Sequence, residues 1–250
     1  MFDIVYPLKK GEPNHDLLYS LRSLEKYGGE IGNVWLVGYH PCYIVNVKSI
    51  DIEQTKGKWL NTRGNLLAIA DCDDISEDFI LFNDDFILTE PVYDWKRFTN
   101  MYLGTLFEHA ESYRLGGRKE SYYTAGFYFN DLLLKSMGVK EPKDFEYHGP
   151  MLMNRLKLKE MFSRKELEPF ISIQRPAMFS RSIYGNLYPR QRLRKICDKK
   201  FSADAPDEDA LTQYGFFSTS DGVIGDMARA PVLNVWTACN LLQKSRFEAY

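Results

Sequence analysis

Cysteine is scarce in this chain. There are four, at positions 42, 72, 197 and 239, and no two stand at a CxxC spacing. Such a set builds neither a zinc site nor a disulfide framework. Glycine-rich catalytic loops are missing as well. No G-x-x-x-x-G-K-[ST], no G-x-G-x-x-G and no G-x-S-x-G occurs, so a P-loop, a dinucleotide fingerprint and a serine nucleophile elbow are not expected. No apolar run approaches the roughly 18 residues that a membrane-spanning helix needs. The start carries no charged-then-apolar leader. These features predict a cytoplasmic protein with reduced thiols. Repeats, low-complexity linkers and a sharp domain boundary are also missing, and one α/β half does not suggest the eight repeats of a barrel glycosidase.

What is present is apolar and aromatic. Hydrophobic residues make up 44% of the 250 residues, enough to bury a core without covalent staples. Aromatics reach 14%, with 16 Tyr and 16 Phe, so the rings either fill that core or stack on something planar. The net charge is only −2, but it is unevenly spread. Between Arg175 and Lys200 eight basic residues face one acid, Asp198, a local balance of +7 against −9 for the remainder. Phe179, Tyr184 and Tyr188 interleave with those cations, which suits either stacked bases in a basic groove or a solvated face over core rings.

Asp3 to Tyr6 is a β-prone run halted by Pro7. Pro13 then punctuates, Asn14 can cap a helix, Leu17, Leu18, Leu21 and Leu24 follow at helical spacing, and Gly28-Gly29 ends it. Asn33 to Val37 reads as a second strand, and a further extended piece lies within 48–60. The stretch "NTRGNLLAIADCDD" reads as a helix with Arg63 on its apolar face, either ion-paired or reaching a ligand phosphate. Residues 79–82 form another core strand. Alternating strands and helices predict a mainly parallel sheet, with ligands at the strands' carboxyl ends. Beyond residue 90, Trp95 to Tyr113 looks helical, Thr124 to Phe129 extended and Met151 to Phe162 helical. Residues 163–225 read as short strands and loops. Val232, Val235, Trp236, Cys239 and Leu242 mark a C-terminal amphipathic helix.

The most informative stretch is "DFILFNDDFILTE" (78–90), two apolar runs around Asn83, Asp84 and Asp85. Asx residues suit a hairpin turn, but a tight two-residue hairpin wants glycine, and none is there. Adjacent carboxylates at a buried strand's end suit a hard divalent cation. Such ions take one or two carboxylates and complete their shell with water and phosphate oxygens.

The run from Gly57 to Leu88, with its Asn-Arg helix, apolar strand and Asn83-Asp84-Asp85, resembles the core of nucleotide-sugar glycosyltransferases of the GT-A fold. A narrower similarity is to the Stealth family of sugar-phosphate transferases. It is carried by Asp3-Ile4-Val5-Tyr6, by Leu18 to Lys26 and by Phe82 to Asp85, with Tyr147-His148-Gly149-Pro150 similar to a later element of that family. Two departures stand out: Asn83 replaces the first aspartate of a DxD motif, and Pro7 to Gly11 replaces the Stealth stretch that follows the first strand.

The resemblance covers mainly the first 90 residues. It implies an α/β fold with a GT-A-like, Rossmann-type nucleotide-binding sheet in 1–92, and a mixed acceptor-binding half in 93–250 of the same globular domain. It implies a nucleotide-sugar donor, a UDP-sugar foremost, with Tyr6 and Pro7 near the base, Arg63 near the ribose or diphosphate, and Asn83 and Asp84 lining the site. Mn2+ or Mg2+ would sit on Asp85, with His148 as a further ligand. A general base would come from Asp131, Glu146 or Asp221, with Asp207 and Glu208 in a segment that reads as a solvated loop. The basic-aromatic stretch, read functionally, makes the acceptor anionic: nucleic acid such as the hydroxylated bases of phage DNA, a phosphorylated glycan, or a lipid-linked phosphate. Stealth-like sugar-phosphate transfer and a non-catalytic nucleic-acid- or anion-binding module are the alternatives.

Overall fold

Ile4, Val5 and Tyr6 are fully buried, and their strand, β1 (Asp3–Pro7), occupies the middle of the main sheet. In this computed structural model, which describes residues 1–11, 14–54, 57–117, 121–175 and 177–249, the chain runs on through α1 (His15–Tyr27), β2 (Val34–Gly38), β3 (Lys48–Asp51), α2 (Lys58–Asp71), β4 (Asp78–Leu81) and β5 (Phe86–Leu88). The second half comprises α3 (Trp95–Phe98), β6 (Met101–Tyr102), β7 (Gly104–Thr105), α4 (Leu106–Leu115), α5 (Tyr122–Ser136), β8 (Lys143–Asp144), β9 (Met151–Asn154) and α6 (Arg155–Phe162). It ends with α7 (Glu168–Ile171), α8 (Ser180–Leu187), β10 (Arg194–Lys195), β11 (Lys200–Phe201), α9 (Glu208–Thr212), β12 (Phe216–Thr219) and α10 (Pro231–Asn240).

The main sheet has the order β3-β2-β1-β4-β9, parallel except for β9, which runs antiparallel to β4. The fold is therefore mixed α/β with a parallel-rich central sheet. Because β1 feeds outward to β2 on one side and pairs with β4 on the other, the strand order reverses there, and in sheets of this kind such a reversal is where a ligand crevice forms, at the carboxyl ends of β1 and β4. A second sheet, β11-β12-β5, stands beside the first. At the opposite end of β1 the buried Asp3 accepts from the Asn33 amide (2.7 Å), the Trp35 indole (3.1 Å) and the Ser76 amide (2.9 Å). Burial opposes its charge, but those donors hold its carboxyl below the usual range.

Several expectations are corrected. Thr124 to Phe129 is helical, not extended: Ser121 and Thr124 form a reciprocal cap, and Phe127, Asn130 and Leu134 bury one helical face. Trp95 to Tyr113 is not one helix but α3, two short strands and α4, the last begun by a Thr105–Glu108 capping box. Met151 to Asn154 is a strand, recruited by β4, and the helix begins only at Arg155. The stretch 163–225 contains α8. On α10 the buried face is Leu233, Asn234, Trp236 and Thr237, while Val235 is exposed and Leu242 lies exposed beyond the helix. Phe179 and Tyr184 are core rings, against Phe127 and Tyr188 respectively, so they do not offer faces for stacking. Pro13 lies outside the described residues. Among the described residues all four cysteines are free, and no helix is long and apolar enough to cross a membrane.

Two helical glycines test the packing. A Cβ at Gly185 on α8 would stand 2.5 Å from the Phe145 ring, whereas one at Gly64 on α2 meets nothing within 4 Å. Gly185→Ala should cost about 1–3 kcal/mol by overpacking. Gly64→Ala should add about 0.5–1 kcal/mol through helix propensity. Urea midpoints should move in opposite directions.

Candidate active site

Phe79, Ile80, Leu81 and Phe82 are buried, so β4 delivers Asn83, Asp84 and Asp85 to the crevice edge. Asn83 to Phe86 forms a turn closed by the Phe86 amide on the Asn83 carbonyl (3.1 Å). It is not a hairpin: β4 pairs with β1 and β9, while β5 pairs with β12. The turn passes the chain from one sheet to the other, and its carboxylates stand between them.

Each carboxylate is held by a different element. Asn14 caps α1 by accepting from the Leu17 amide (2.9 Å), and its own amide nitrogen donates to Asp84 Oδ2 (2.7 Å). Asp85 Oδ2 accepts from Ser218 Oγ (2.8 Å) and Lys200 Nζ (3.1 Å), while Asp85 Oδ1 is buried without a hydrogen-bond partner. Asp16, in the first turn of α1, and Asp221, past the end of β12, complete the group. Burial, then repulsion from Asp85 and Asp221, raises the Asp84 carboxyl. Burial, then Asp84, Asp85 and Asp221, pushes Asp16 up to about 7. Negative charge has collected here beyond what neighbouring groups neutralise.

A second polar group gathers around His148 and Asp198. His148 Nδ1 is paired with Asp198 Oδ2 (2.7 Å), and Asp198 Oδ1 also accepts the His148 amide (3.0 Å). Burial would raise Asp198, but these bonds hold it low. Glu146 accepts from the Ser182 amide (2.9 Å); burial raises its carboxyl, the Arg181 guanidinium lowers it, and Asp144 raises it again. Arg181 donates to the Gly149 carbonyl (2.6 Å) and lies over the rings of Tyr147 (4.8 Å) and Phe86 (5.7 Å). Phe86 follows Asp85 directly, and Lys200, two residues beyond Asp198, touches Asp85. The two groups are thus linked through Lys200, which bonds to Asp85, and through Arg181, which lies over Phe86.

The structure gathers some sequence candidates and disperses others. Asp84, Asp85 and Asp221 come together; His148 and Glu146 belong to the second polar group, around Asp198 and Arg181. Tyr6 is fully buried, its ring 5.3 Å from Phe82 and its hydroxyl 3.1 Å from Ser20, so its ring is core and only the chain from Pro7 onward reaches the edge. Arg63 is 2% exposed, and among the described residues the ion-pair alternative is not realised: its Nη2 donates to the Ile173 carbonyl, and Nε and Nη1 are buried without hydrogen-bond partners there. Burial lowers its pKa. Asp131 is paired with Lys135 on α5 (2.7 Å). Asp207 caps α9, and Glu208 lies in that helix's first turn. Sequence reasoning missed Asp16, Asp198, Lys200 and Ser218. Only Asp16 left a signal, two residues after a helix cap that follows β1.

Among the described residues no group of three or more His, Cys, Asp or Glu side chains is arranged to hold a metal. Two carboxylates with an orphaned buried oxygen remain, which suits an ion that completes its shell with water and phosphate.

The charge excess has a measurable sign. Asp16 binds its proton near pH 7 when folded and near its ordinary value of 3.8 when unfolded. Its contribution therefore favours the fold below that value and is lost as pH rises through 7. In chelator, Asp16→Asn should melt with the parent near pH 4 and a few degrees above it at pH 8. Equal melting at both would show that the repulsion is not there.

No protein-family model matches the chain, and no curated protein matches it. Among solved structures it is similar to the galactosyltransferase LgtC, crystallised in complex with donor and acceptor sugar analogues. The identity is 12% and the TM-score 0.47 over 98% of each chain, a weak likeness that leaves the weight on the site itself.

Proposed function

We propose that the protein is a glycosyltransferase that takes its sugar from a nucleotide-sugar donor, assisted by Mn2+ or Mg2+. The observation that carries this reading is the carboxylate turn: Asp84 and Asp85 stand at the end of a buried strand, at the crevice of a parallel sheet, with Asp85 Oδ1 unpartnered. The motif resemblance of the first 90 residues points the same way.

In this reading Asp85 and Asp84 hold the divalent ion, and His148, oriented through Nδ1 by Asp198, offers its other ring nitrogen. The ion would neutralise charge on the departing nucleoside diphosphate. The exposed Lys9-Lys10 loop after β1 faces the donor, and Asn83 lines its site. Arg63, with two unpartnered nitrogens on the helix that follows β3, is assigned to the diphosphate side. Glu146 is assigned to receive the acceptor hydroxyl's proton, since a carboxyl with a raised pKa is the better base near neutrality. Asp221 belongs with the metal-side carboxylates, and Asp131 has a structural role. The chain divides functionally near residue 92, with the donor bound by the first half and the acceptor by the second.

The test is thermal stability with nucleoside diphosphate, with and without Mn2+, followed by identification of the nucleotide released from a nucleotide-sugar panel. At a hundred times Kd, binding adds about 2.7 kcal/mol, or roughly 5–10 °C for a chain of this size. That gain should need both ligands and vanish in Asp85→Asn. Release of nucleoside diphosphate supports glycosyl transfer, whereas nucleoside monophosphate would mean Stealth-like sugar-phosphate transfer. A diphosphate effect that ignores Mn2+ or survives Asp85→Asn would overturn the assignment of the turn.

A further inference from the structure

A cavity of about 1060 Å³ lies apart from the carboxylates, on the face built from α3 and residues 190–194. Five basic side chains line it, Lys96, Arg97, Arg190, Arg192 and Arg194, against two carboxylates, Glu90 and Asp94. One of those, Asp94, is engaged in capping α3 through the Lys96 and Arg97 amides. Among the described residues none of the five cations is in an ion pair. In a chain of net charge −2 this is a concentrated positive surface.

The groove is built, not incidental. Asn100 donates to the Gln191 carbonyl (2.6 Å) and the Arg192 carbonyl (2.9 Å) and accepts the Arg194 amide (2.9 Å). Arg192 is held at φ 59°, a conformation that L-residues rarely adopt. Arg190 is anchored on Thr99 by its carbonyl (2.8 Å) and hydroxyl (3.2 Å). Two rings flank the cations: Tyr93 is 93% exposed, and Tyr214 carries Arg194 and Lys199 over its face at 5.5 and 5.4 Å. The same segment continues through Lys199 to Lys200, whose ammonium touches Asp85. The segment that lines the groove thus runs on to the carboxylate turn.

We propose that this groove binds a single-stranded nucleic acid. A row of arginines without carboxylate partners matches a chain of phosphates, and the exposed Tyr93 ring beside them matches an unstacked base. The site is a cavity, whereas a duplex reader inserts a helix or ribbon into a groove. The volume far exceeds a lone phosphate. The proposal stands on the groove and does not depend on glycosyl transfer.

The experiment is fluorescence anisotropy with a labelled oligothymidylate about twelve nucleotides long, within the span such sites cover, across a sodium chloride series. Affinity should fall with salt by a log–log slope of about −0.7 per phosphate contacted. Arg97→Glu combined with Arg192→Gly should weaken binding at least roughly ten-fold. The glycine relieves the left-handed backbone, and unchanged melting checks the fold. Tyr93→Ala should cost roughly five- to a hundred-fold for the oligonucleotide and nothing for inorganic polyphosphate. Donor hydrolysis should persist in all these variants, so failure here is separable from failure of the transferase reading. No binding, binding indifferent to these variants, a preference for duplex, or a sulfated or phosphorylated glycan outcompeting the oligonucleotide irrespective of Tyr93 would each overturn the proposal.

Discussion

The link from Phe82 to Asp85 must leave one sheet and enter another within four residues, and the rest of the architecture follows from that. On its near side β4 is locked between β1 and β9; on its far side β5 is locked against β12. Phe82 and Phe86, both fully buried, bracket it with rings 5.7 Å apart. Each such ring contributes about 1.5–3 kcal/mol on burial, so the turn cannot relax outward to give its carboxylates to bulk water. The fold holds them in place despite the cost of crowding like charges.

That cost is only partly met by the protein. Asn14 gives one hydrogen bond to Asp84, while Lys200 and Ser218 serve one oxygen of Asp85. The positive end of α1 also points this way. Against these stand Asp16, Asp221 and the orphaned Asp85 Oδ1. Buried unpaired acceptors are rare in native proteins and tend to mark a role other than stability. Arg63 presents the complementary case, a buried guanidinium with two unused nitrogens. Both are buried groups whose hydrogen-bonding capacity the fold leaves unused.

The second half of the chain serves the first. β9 closes the edge of the parallel sheet, β12 receives β5, and His148, Asp198 and Glu146 arrive from loops around these strands. The basic segment 190–200 lies on this half, passing from the arginine groove to Asp85. Its aromatic residues divide by exposure. Tyr184 went into the core, while Tyr93 and Tyr214, from other parts of the chain, took the positions beside the cations.

Local pattern determined the first 90 residues. The Asn14 cap, the helical leucines, the Gly28 stop, the inward Arg63 and the buried strand before Asp84 were all legible, because each depends on neighbours within a few residues. The second half was less so. Thr124 to Phe129 is rich in β-prone rings, yet a cap at Ser121 and a buried helical face overrode them. Met151 to Asn154 became a strand because β4 had a free edge, which no local signal announces. The site divides in the same way. Asp84 and Asp85 could be read from an apolar run ending in carboxylates, but Lys200 and Ser218 lie more than a hundred residues away. Their meeting with Asp85, like that of His148 with Asp198, was decided by strand pairing in the folded chain, since contacts between distant segments leave no periodicity in the sequence.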